Sequence, residues 1–147
     1  MDLSNFCYLG DHLEHNCGQV IINTKYYNSM EDYKKNIIEN IISNINKALE
    51  ISYNIFGIDK FVIKVYLKKD ISTINKKFLI KLINELEDKY SQKLQYCYII
   101  DASILFKTMF KIISLFLNKD TKSKIKFIEN KNINTESNNT KYYNNYF

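Results

Sequence analysis

The stretch Tyr96–Ile128, YCYIIDASILFKTMFKIISLFLNKDTKSKIKFI, decides how the rest of the chain is read. Tyr96 to Ile100 has the aromatic and β-branched character of a buried strand. A bend at Asp101 to Ser103 leads into a nearly all-apolar helix, and a second short strand follows a polar break. Between Ile104 and Leu117 the polar side chains are Lys107, Thr108, Lys111 and Ser114. Lys107, Lys111 and Ser114 form one narrow stripe at helical spacing, whereas an ordinary surface helix is apolar over only about 100° of arc. Such a helix is either buried on two sides or turned toward something non-aqueous. It is too short to cross a bilayer, which takes about 20 residues.

Working outward, a second amphipathic helix is expected from about Thr73 to Tyr90. Ile74, Phe78, Leu79, Leu82, Ile83, Leu86 and Tyr90 fall on one face, with Lys76, Lys77, Lys81, Glu85 and Asp88 on the other. Phe61 to Leu67 (FVIKVYL) reads as a buried central strand. Gly57 ends a long helix that opens at the Ser-x-x-Asp pattern of Ser29 to Asp32 and repeats Tyr33, Ile37, Ile41, Ile45 and Ala48/Leu49. A short strand, Val20 to Asn23, precedes it. Strand, helix, strand, helix, strand, helix, strand predicts an α/β domain, a mostly parallel sheet with right-handed crossovers and helices packed over it. Residues 1–19, with Gly10 and Gly18, read as an irregular lead-in. Residues 129–147 are asparagine-rich and without periodicity, a flexible tail whose Tyr142, Tyr143, Tyr146 and Phe147 are available for docking.

A length of 147 residues fits one domain. With 46% apolar and 14% aromatic residues the chain is not wholly disordered, and a mean hydropathy of −0.32 argues against an integral membrane protein. No signal-peptide or lipidation pattern opens the sequence, so a soluble, cytoplasmic protein is expected, with peripheral membrane contact compatible with its charge. The net charge of +5 comes from lysine with no arginine, which removes the guanidinium fork that reads bases; nucleic acid is not an expected partner, while anionic membrane surfaces are. Isoleucine, lysine and asparagine supply 63 of the residues, a strong compositional bias.

Catalytic patterns are missing: no glycine-rich phosphate loop follows a strand, there is no Gly-x-Ser-x-Gly elbow, and both histidines lie in the lead-in. Glu85 and Asp88 share a helix face beside lysines and read as solvated charges. Cys7, His12, His15 and Cys17 are zinc-ligand types, but four candidates within eleven positions lack the paired spacing of a structural site. Solvated histidines and reduced thiols are expected instead, with Cys97 the third cysteine. The chain reads as a binder that uses no cofactor, not as an enzyme.

The order of residues in the opening stretch resembles the CRAL-TRIO lipid-binding family, the domain of phosphatidylinositol-transfer and tocopherol- or retinal-binding proteins. Ile99, Ile100, Asp101, Ala102 and Ser103 stand where that family has Ile-Ile-Asn-x-Pro. Phe106, Phe110 and Lys111 follow in its aromatic helix, then Phe116, Leu117 and Asn118, and finally Thr121, Lys124 and Ile125 before the next strand. Ser103 and Leu115 replace prolines. The resemblance implies a CRAL-TRIO-like domain over 20–128, truncated at both ends, with a lid helix after the third strand closing an apolar pocket floored by the sheet. It implies ligand or membrane contacts at Phe106, Met109, Phe110, Ile113, Phe116 and Leu117, and places Lys122 and Lys124 at phosphoinositide headgroups or the membrane. The function implied is non-enzymatic binding or transfer of a phospholipid, isoprenoid or similar hydrophobic molecule, with transient membrane visits. Two alternatives stay open. The greasy helix is ordinary core and the lysines a solvated turn, or the domain is a protein-interaction module without a lipid cavity, its partner a small GTPase or a second copy of the chain in a homodimer.

Overall fold

The computed structural model describes residues 3–27, 31–67 and 75–130, with the side chains of 31–34 left out. The proposed cap at Ser29, the helix start at Thr73 and Ile74, and the tail beyond Asn130 lie outside the described residues. Five strands form one sheet in sequence order: β1 (Cys7–Leu9), β2 (Gly18–Asn23), β3 (Phe61–Tyr66), β4 (Leu94–Ile100) and β5 (Ile125–Ile128). β2 through β5 are parallel and β1 pairs antiparallel on the edge of β2. The expected α/β architecture is therefore observed, with β3 central. The lead-in is a correction to the sequence reading. It supplies a fifth strand, and Leu3, Phe6 and Cys7 are buried in the core. Three strand residues lie below the length at which alternation is readable, and pairing with β2 supplies what local propensity lacks.

The connections are α1 (Glu31–Phe56), α2 (Lys76–Tyr90), and α3 (Ile104–Ile113) followed by α4 (Lys119–Lys124). Ile37, Ile41, Ile45 and Ala48 of α1 recur at helical spacing and are essentially inaccessible, which at about 1.5–3 kcal/mol for each fully buried isoleucine makes this helix the main anchor of the sheet. Its packing is close at one point. A Cβ on Gly18 would overlap the backbone of Ala48, so β2 starts against the helix with no side chain between. Ser52 Oγ accepts from Gly18 N–H at 2.7 Å and donates to the Ala48 carbonyl at 2.9 Å. Gly57 ends α1 at φ +66°, the left-handed conformation glycine adopts freely.

Strand alternation sorts the residues onto two faces. Val20, Ile22, Phe61, Ile63, Ile99, Ile125 and Phe127 face the helices. Val62, Tyr98, Ile100 and Ile128 face the other way with Cys17, in a cluster that contains no residue of the described helices. Parallel strands added one after another by crossovers of one hand put every connecting helix on the same side. The chain is a one-sided, two-layer sandwich among its described residues.

Candidate functional site

The helix layer is not uniformly packed. One buried cluster gathers around α1 with β1, β2 and β3, another around α3 with β4 and β5, and Val65 and Cys97 touch the margin of both. α2 spans the gap between them. Its ends are pinned by Phe78 and Tyr90, which are buried, but Leu82, Ile83 and Leu86 between them are only half-buried. Asn75 caps the start through Lys77 and Phe78 N–H groups, and Tyr90 donates from its hydroxyl to Asn46 Oδ1 of α1 at 2.8 Å. Held at both ends, the helix bridges a cavity of about 200 Å³ instead of collapsing onto the sheet. Ile63, Val65, Cys97 and Ile99 form its floor, α2 its roof, and Phe106, Phe110 and Leu117 one wall. The lining is almost wholly apolar.

Beside the cavity, Ser103 accepts from Phe106 N–H at 3.1 Å and caps α3, so a serine starts the helix where the family pattern has proline. The bend before it places Asp101 at φ +61°, and Asp101 Oδ1 accepts from Asn130 N–H at 2.8 Å. Phe106 stacks on Phe110 at 6.1 Å, and Phe110 meets Phe127 of β5 edge-on at 5.7 Å. The helix breaks at Ser114 into a tight turn, and the expected polar break folds as α4 with Asn118 accepting from Thr121 N–H. At this end Glu87 of α2 reaches across. Its Oε1 accepts from Thr121 Oγ1 at 3.0 Å and from Asn118 N–H at 3.4 Å, tying the roof to the wall.

The six lid residues named from sequence divide three ways. Phe106, Phe110 and Leu117 line the cavity. Met109 and Ile113 do not reach it; Met109 packs half-buried against the α3 cluster and Ile113 is fully buried. Phe116 is 52% exposed. It belongs to an outer row that sequence reasoning passed over: Ile104 (83% exposed), Leu105 (82%), Ile112 and Leu115 (76%). These were legible as part of the greasy circumference, but hydropathy alone does not say which side meets the sheet. α2 contributes more of the lining than the sequence reading allowed, because a half-buried leucine row looks like any other packing face. Lys124 is engaged, with its Nζ 3.0 Å from Asp120 and 3.5 Å from the Ser91 carbonyl. Lys122 is half-buried without an ion-pair partner among the described residues.

On the opposite face His15 Nε2 lies 2.7 Å from the Tyr98 hydroxyl and the ring packs on Tyr96, so His15 is a partnered loop residue. His12 is exposed, Cys7 and Cys17 are buried, and no group of three metal-ligating side chains occurs among the described residues. Burial pushes the Cys7 and Cys97 thiols up to about 12, so neither is a nucleophile at neutral pH.

The described residues form a one-sided, mostly parallel sheet with an apolar cavity beneath a bridging helix. A model of the CRAL/TRIO domain family matches residues 20–142, and the chain belongs to that family. It is a lipid-binding family whose members are generally not enzymes. Among solved structures the chain is similar to one described as "Crystal structure of Sfh5", with a TM-score of 0.63 at 13% identity over 85% of this chain. The chain spans about half of that one, 47%. No curated protein matches it. No described helix is long and apolar enough to cross a membrane.

Proposed function

We propose that the chain binds a hydrophobic ligand, such as a phospholipid or an isoprenoid, in the cavity under α2, without chemistry on it, and that the segment from α3 through α4 serves as the lid. The observation that carries this reading is the apolar cavity of about 200 Å³. It exceeds the ~150 Å³ apolar void that takes up benzene and falls below the ~300 Å³ at which clefts for drug-sized molecules begin. A complete lipid therefore requires the lid to move outward. Burying a sixteen-carbon chain contributes on the order of 10 kcal/mol at about 0.8 kcal/mol per methylene, enough to drive that movement.

The outer row Ile104, Leu105, Leu115 and Phe116 supports transient docking of α3 on a membrane, with Lys122 and the exposed Lys111 and Lys119 near anionic headgroups. This is peripheral contact by a cytoplasmic protein, consistent with ligand transfer. The same row favours a second reading, a protein-interaction module whose partner is a small GTPase or another copy of the chain. Native mass spectrometry after incubation with mixed liposomes, followed by organic extraction, separates the two. One lipid retained per chain is expected. Protein that stays bare, at monomer or dimer mass, overturns the carrier reading and leaves the interaction module.

A further inference from the structure

The cavity is long and narrow, and its two ends differ. Along α2 it is lined from Phe78 to Glu87, nine residues apart, a span of about 14 Å at 1.5 Å of rise per residue. An extended hydrocarbon chain with bonds of about 1.5 Å advances about 1.25 Å per carbon, so this length takes about ten carbons in single file. The volume gives a similar count. An apolar void of ~150 Å³ takes the carbons of one benzene, so about 200 Å³ takes about eight carbons. A space with that volume stretched over that length is one chain wide. At one end Phe6 and Phe78 are buried, and Tyr27 sits between them with its ring 6.4 Å from the first and 6.2 Å from the second. The Tyr27 hydroxyl is itself shut off from solvent, and Thr24 donates to the Tyr66 carbonyl, so this end offers a polar group no contact. At the other end stand Glu87, Ser91 and Thr121, the first two half-buried and in touch with water. Between the ends, Leu82 and Ile83 roof the space over Val65 and Cys97.

We infer that the cavity is a dead-end channel for a single hydrocarbon chain of up to about ten carbons, entered tail first from the Glu87 end, and that Phe78 is a specificity-determining residue that sets the chain length. This rests on the hydrophobic-ligand reading and narrows it to lipids that present one chain and keep their polar group outside. A polar group carried to the aromatic end loses its bonds to water and gains none there. A second chain finds no space beside the first. Carbons beyond about the tenth stay in water at the mouth and add nothing to affinity.

The test titrates the full chain with a series of 1-alkanols, from 1-hexanol to 1-tetradecanol, by calorimetry. Affinity is expected to rise about fourfold per added carbon as far as about ten carbons and to stay level beyond, with one alkanol bound per protein. Leu82→Phe, placed five residues from Glu87 on α2, should bring that break down to about six carbons, and Phe78→Leu should move it up by about one or two. In the 1-decanol complex, nuclear Overhauser contacts should join the terminal methyl to the Phe78 ring and the methylene bearing oxygen to the Thr121 methyl. The wild-type series and these contacts decide the point whether or not a variant folds. Affinity that keeps rising to 1-tetradecanol, two alkanols bound at saturation, a break that a folded Leu82→Phe leaves in place, or the reversed pattern of contacts overturns the single-chain channel and leaves the cavity reading intact. Failure of the wild type to bind any of the alkanols overturns the cavity reading and this inference with it.

Discussion

Gly18 shows how a single atom sets the distance between two layers. Its missing Cβ lets β2 meet the backbone of α1 at Ala48, and Ser52 satisfies the N–H exposed there. Gly18→Ala is expected to lower stability by ~1–3 kcal/mol through overpacking, and Ser52→Ala by ~1–3 kcal/mol by leaving a buried N–H unpaired; urea unfolding measures both. The glycine was visible in the sequence, but its reason was not, because the partner backbone lies thirty residues downstream. Cys7 and Cys97 make a second case at this scale. Their folded pKa of about 12 lies above the ordinary thiol value of 9.0, so the unfolded chain releases these protons first as pH rises. The stabilisation is therefore complete below about pH 9 and is lost between about 9 and 12, by about 1.4 kcal/mol per pH unit for each thiol. Cys7→Ala should reduce that alkaline slope by one thiol's share, as read from unfolding midpoints at stepped pH. Cys97 is only half-buried by area because part of its surface faces the cavity.

On the proposed reading, α2 and α3 are the elements on which ligand access depends. α2 is fixed at its ends and loosely seated in the middle, so a larger side chain at its centre has room. Leu82→Trp is expected to leave folding intact, judged by an unchanged cooperative melt, and to cut lipid retention at least tenfold by occupying the cavity. Glu87 is the tie between α2 and the α3–α4 segment. Glu87→Ala removes the single oxygen that accepts both bonds of that tie and, with the α3–α4 segment as the proposed lid, should speed reaction of Cys97 with an apolar thiol reagent. An unchanged labelling rate would mean that the lid is held by packing of Phe106 and Phe110 alone. On the outer side of α3 and of the turn that follows it, Leu105 and Leu115 touch water in the free protein. The pair Leu105→Asp and Leu115→Asp should cost less than ~1 kcal/mol of stability while abolishing sedimentation with anionic vesicles; retained vesicle binding would remove α3 as the docking face.

For the whole molecule, the sequence alone was enough to determine the alternation of β2 through β5 with α1, α2 and α3, the parallel sheet with β3 at its centre, the anchoring face of α1 and the likeness to the CRAL/TRIO family that the match over residues 20–142 bears out; β1 and α4 were not read from it. These are properties of periodicity and of local signals, hydrophobic spacing, caps and breaks, which a strong bias toward isoleucine, lysine and asparagine does not erase. What only the tertiary structure decided is how those faces are shared. The lead-in became an edge strand because β2 offered it a partner, and all described helices fell on one side of the sheet. α2 was kept from collapsing by contacts at its two ends. The circumference of α3 was divided among a cavity wall at Phe106 and Phe110, a core position at Ile113 and an open surface at Ile104 and Leu105. Hydrophobicity is a property of a residue, while burial, exposure and void are properties of what stands opposite it. That neighbour is chosen by contacts far apart in the chain, and no local pattern encodes it.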